Sequence, residues 1–71
     1  MEEFVLKSEF IELNKLLKLL GIAETGGHAN TMISEGEVLL NDLVEYQKRK
    51  KIRPNDIIKV DVFAVKVLAA E

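Results

Sequence analysis

The sequence predicts an α+β fold: two short helices packed on a small, bent, mainly antiparallel sheet. Three observations carry this expectation. Leucines recur at three- and four-residue spacing between residues 13 and 20. From Val38 onward, short apolar runs alternate with turns built on Asn, Asp and Pro. The chain has 71 residues, room for one domain over 1–71 and one core shared by helices and sheet.

The opening run, residues 3–7, suits an edge strand, and Phe10-Ile11-Glu12 either extends it or leads into a helix. Leu13, Leu16, Leu17 and Leu20 then mark one helical face, with Asn14, Lys15 and Lys18 on the other. Leu19 widens that face, implying burial on more than one side. Gly21 fits the left-handed position that ends a helix. Thr25 is placed to cap a second helix over 26–35, with Ala29, Met32 and Ile33 inward and His28, Asn30, Thr31, Ser34 and Glu35 outward. Gly26 and Gly27 are poor in a helix interior, but in a first turn they leave backbone N–H groups uncovered. Gly36 closes the segment.

The remainder reads as strands. Residues 38–40, the turn Asn41-Asp42 and residues 43–46 form a hairpin or tight bend, since Asn and Asp tolerate left-handed backbone. Residues 47–51 are a polar loop, and Arg53-Pro54-Asn55-Asp56 is a second turn with Pro54 at its favoured place. Residues 57–60 make a strand, and a last one is expected over 65–68. Apolar parity changes near Phe63, which suggests a bend or bulge.

Composition narrows the function. With no cysteine there is no disulfide, thiolate zinc site or thiol nucleophile, and one histidine excludes a multi-histidine metal centre. No apolar run approaches the length of a membrane span, and Glu2 and Glu3 stand where a secretion signal carries positive charge. A cytoplasmic protein with no membrane partner is expected. Net charge is −2, but it is unevenly spread. Residues 1–46 hold nine acidic and three basic side chains, whereas residues 47–66 hold seven basic and two acidic. The molecule is dipolar, and local charge decides which face meets a polyanion.

Catalysis finds little support. His28 alone titrates near neutrality without help, and its place in a helix's first turn fits an exposed residue. Neither Ser8 nor Ser34 sits in a Gly-x-Ser-x-Gly elbow. A domain this small has little volume to enclose a ligand pocket beside its core. No enzyme activity and no cofactor are expected. Gly26-Gly27 before helical N–H groups is a miniature anion cradle, without the lysine of a nucleotide-binding loop. The run Lys48-Arg49-Lys50-Lys51, followed by Arg53, is the strongest feature. Folding gains little from crowding like charges, so a polyanion contact is the sharper explanation and a solvated loop the plainer one.

The order of these features resembles the S-four-type RNA-binding domain, also called the αL motif, over residues 10–60. Leu13-Asn14-Lys15-Leu16-Leu17-Lys18-Leu19-Leu20-Gly21 and Gly26-Gly27-His28-Ala29 resemble its free-standing, single-domain bacterial branch, and Glu35-Gly36-Glu37-Val38 continues the likeness. The resemblance implies one RNA-facing surface made by the two helices and the loop after the hairpin. It would comprise Gly26, Gly27, His28, Asn30, Lys48, Arg49, Lys50, Lys51 and Arg53, with Lys15 and Lys18 at the rim. That branch usually carries a basic residue where this chain has Asn30, and often one at Gln47; its Asn-Gly turn is here Asn41-Asp42 and its Gly-Asp is Asn55-Asp56. The implied function is non-catalytic binding of structured RNA (ribosomal RNA, transfer RNA or a ribosomal particle) by phosphate and shape recognition. The alternative is a protein-interaction or structural module that keeps the fold with weak RNA affinity.

Overall fold

Local chemistry starts and stops both helices. The structure, a computed structural model, describes residues 1–71. Helix α1 spans Leu13–Leu19 and α2 spans Gly26–Ser34. At the end of α1, Gly21 takes φ +76°, its N–H donates to Lys18 O, and Ile22 N–H reaches back to Leu17 O. The same pair of bonds ends α2, where Gly36 (φ +77°) donates to Ile33 O and Glu37 to Met32 O. Both are closures that require a left-handed residue, which glycine supplies without strain. Thr25 caps α2 as expected, its hydroxyl accepting from His28 N–H at 3.0 Å.

The strands are β1 (Glu2–Leu6), β2 (Ile11–Glu12), β3 (Val38–Leu40), β4 (Leu43–Val44), β5 (Lys51–Ile52), β6 (Ile57–Val60) and β7 (Phe63–Ala69). Five form one sheet in the order β1-β7-β6-β3-β4, in which β1 runs parallel to β7 and the other neighbours are antiparallel. The two short strands β2 and β5 pair separately and antiparallel. Asn41 and Asp42 both have positive φ between the paired Leu40 and Leu43, the backbone of a tight two-residue hairpin.

One core joins the layers. Leu13, Leu16 and Leu17 from α1 and Ala29 and Ile33 from α2 are completely buried with Val38, Ile52 and Val67 from the strands.

Several expectations change. Leu19 is 64% exposed and not buried. At 3.6 residues per turn it projects roughly 110° from the centre of the Leu13–Leu16–Leu17–Leu20 face, and α1 packs on that face alone. Helix α2 ends at Ser34, with Glu35 as its cap. The parity change near Phe63 is neither bend nor bulge: Val60 pairs with Phe63 across the turn Asp61-Val62, and the register runs unbroken to Ile57 opposite Lys66. Asp61, at φ +52°, makes that turn. Strand β7 is longer than residues 65–68 because β1 and β6 pair with it on both sides.

Candidate nucleic-acid interface

The basic loop is built on the start of α1. Glu12, the residue before α1, makes no side-chain cap bond. The exposed helix donors are met instead by the loop's own carbonyls: Leu13 N–H donates to Lys50 O at 2.9 Å and Asn14 N–H to Lys48 O at 3.0 Å. Next to them, β5 pairs Lys51 with Glu12 and Ile52 with Ile11, and the Ile52 side chain is fully buried. The polar loop therefore ends at Lys50, one residue earlier than expected, and Lys51 begins a strand. Turning carbonyls inward sends the side chains out, so Lys48, Arg49 and Lys51 are exposed and Lys50 half-buried.

Glu12 organises the cations around it. Its carboxylate meets Lys15 Nζ at 3.2 Å and accepts from Arg49 Nε at 2.7 Å. The Arg49 hydrogen bond, then the Lys15 one, holds its carboxyl below the usual glutamate range. The basic run is thus not uniformly free: Arg49 has a partner, unlike an evenly solvated charge cluster. A few residues away, Lys51 Nζ lies 4.8 Å from the centre of the Phe10 ring and the Arg53 guanidinium 5.9 Å. Arg53 itself is seated by its backbone N–H, which donates to Asp56 Oδ2 at 2.8 Å. Phe10, Ile11, Glu12, Lys15 and Arg49 line an open groove of about 370 Å³.

Helix α2 adds a second border. Asn14 Nδ2 donates to Asn30 Oδ1 at 3.1 Å, tying the helices together at the point where the loop meets α1. Gly26 and Gly27 lie one turn before Asn30 on the same side of α2. A side chain built on Gly26 would meet nothing within 4 Å, and one on Gly27 only the Thr25 hydroxyl at 3.8 Å, so packing does not demand glycine there. Lys18 is exposed one turn along α1 from Asn14 and Lys15.

The structure thus gathers Lys15, Asn30, Lys48, Arg49 and Lys50 around the start of α1, with Lys51 and Arg53 over Phe10. Lys18, Gly26 and Gly27 occupy adjoining turns. His28 falls on the far flank of α2 from Asn30, its Nδ1 accepting from Glu24 N–H at 3.3 Å. Sequence reasoning missed Phe10, Glu12 and Asn14 as parts of this surface. Only Glu12 had a signal, as the lone carboxylate at the mouth of the first helix.

This arrangement has close counterparts. Residues 4–68 match the S4 domain. A putative RNA-binding protein, YbcJ, of Escherichia coli strain K12 is 38% identical over 63 residues, 89% of this chain and 90% of that protein. A probable ribosome maturation protein, RlbA, of Bacillus subtilis strain 168 is 34% identical over 56 residues, 79% of each chain. The solution structure of Escherichia coli YbcJ, described as revealing an αL motif involved in RNA binding, superposes with a TM-score of 0.74, covering 97% of this chain and 89% of that one. With the match running from β1 into β7, and with the same motif in the superposed fold, the chain belongs to the S4 domain family.

Proposed function

We propose that the chain binds structured RNA without catalysis, in the cytoplasm, on ribosomal RNA, transfer RNA or a ribosomal particle. The observation that carries this reading is the loop at residues 47–50, whose backbone is fixed on the start of α1 while Lys48 and Arg49 are exposed. A loop whose backbone is held in place while its cations reach solvent suits the spaced phosphates of a folded RNA. Such contacts position an RNA by its shape and need no base-reading side chains. The names given to the Escherichia coli and Bacillus subtilis relatives support the same direction.

The test is fluorescence anisotropy with a ribosomal-RNA hairpin over a salt series. Three or four phosphate contacts give a log K against log salt slope of roughly −2 to −4. Replacing Lys48, Lys50 and Lys51 together by alanine should flatten that slope and weaken several RNAs in similar measure. An unchanged slope in the folded triple variant removes the loop from the site. If the wild type ignores every structured RNA at low salt, the surface is a protein-interaction module instead.

A further inference from the structure

Phe10 differs in use from the other half-buried aromatic ring. Phe4 packs against the buried core together with Ile11, Leu20, Ile22 and Leu40, whereas Phe10 is not among the side chains that do so. Its cover comes from charge, the Lys51 and Arg53 side chains reaching over the ring. The ring is also one wall of the groove that Ile11, Glu12, Lys15 and Arg49 complete. At about 370 Å³ this groove is at the small end of ligand-sized clefts, which run from roughly 300 to 1,000 Å³.

We propose that the groove receives one unpaired nucleotide of the bound RNA, its base stacked on Phe10 and its flanking phosphates met by Lys15, Arg49, Lys51 and Arg53. The proposal rests on the RNA-binding reading above and narrows the target to RNA with a bulged or looped-out nucleotide. Bases inside an A-form helix cannot reach such a wall, but an unstacked one can. Lys51 and Arg53 are exposed and therefore free to move. A base arriving over the ring displaces a cation that then finds a phosphate, so one favourable contact is exchanged for two. Glu12 is the positioning residue: it neutralises part of the local charge and holds Lys15 and Arg49 at the groove. Stacking tolerates any base, so the site selects a nucleotide's freedom and not its identity.

The experiment compares two RNA hairpins that differ only by a single bulged nucleotide, using the full chain and anisotropy at low salt. The wild type is expected to prefer the bulged RNA. F10L keeps an apolar side chain but removes the π-face, and should lose roughly five- to hundred-fold for the bulged RNA. Its loss for the uninterrupted stem should be much smaller, so that the preference for the bulged RNA disappears, with circular dichroism confirming the fold. F10A should behave alike. A 2-aminopurine at the bulge should change its fluorescence on binding wild type and not on binding F10L. Equal wild-type affinity for both hairpins, or full affinity in F10L, overturns the stacking site. In that event the loss caused by the triple alanine variant still stands for the RNA reading, whereas binding to neither hairpin overturns both.

Discussion

The two helices start in different ways. Helix α2 is capped locally, by Thr25 on the N–H three residues ahead. Helix α1 is capped from across the chain, by the carbonyls of Lys48 and Lys50. A local cap stabilises its own helix and nothing else. A cap delivered by a distant loop ties two elements together, so fixing the helix also fixes the loop. The charged surface is therefore ordered by α1, and α2 borders it only through Asn30 and its first turn.

The largest expected effect tests what the helices share. Leu17 is completely buried in the common core, and Leu17→Ala should cost about 2–5 kcal/mol through lost transfer energy and the cavity left behind. Against the stability of a domain this small, that unfolds much of the population. A denaturation curve shifted by less than about 1 kcal/mol would break the shared-core account.

The next separates the caps. Thr25→Ala should cost about 1 kcal/mol. It should raise amide exchange at the start of α2 while leaving Leu13 and Asn14, which donate to the loop, as protected as before. Equal loss of protection at both helix starts would show that the two are not independent.

Asn30→Lys puts a charge on the border between the helices and gives up the Asn14 hydrogen bond. RNA affinity should rise severalfold, with a steeper salt slope by about 0.7–0.9, at a small loss of stability. No gain in affinity would place Asn30 outside the bound surface.

The smallest effect concerns Glu12. Its carboxyl titrates lower in the folded protein than its ordinary value of 4.5, so its contribution is present above that value and lost as pH falls through the lower folded one. Denaturation midpoints for wild type and Glu12→Gln should differ most at neutral pH and converge in acid. A constant gap across that range would mean that the pairing with Arg49 and Lys15 does not contribute.

What was legible in the sequence follows the same division between local and distant chemistry. Thr25, Gly21, Gly36 and the Asn41-Asp42 turn act within a few residues, so residue type alone located them. The basic run was legible as composition. The pairing of β2 with β5 was not, because two-residue strands show no periodicity. Nor was the Glu12–Arg49 bond, whose partners are 37 residues apart. Leu19 misled because a leucine at helical spacing is buried only if something packs on its side. Phe10 carried no signal of its own, because an apolar residue beside a short strand does not announce that Lys51 and Arg53 will lie over its ring.

The parallel pairing of β1 with β7 bears on how the molecule is made. Glu2 lies opposite Val65 and Leu6 opposite Ala69, so the first strand of the fold pairs with its last. Until that strand has left the ribosome, β1 has no hydrogen-bonding neighbour and β6 lacks one of its two. Removing β7 would therefore leave β1 without its one strand neighbour and open one edge of β6.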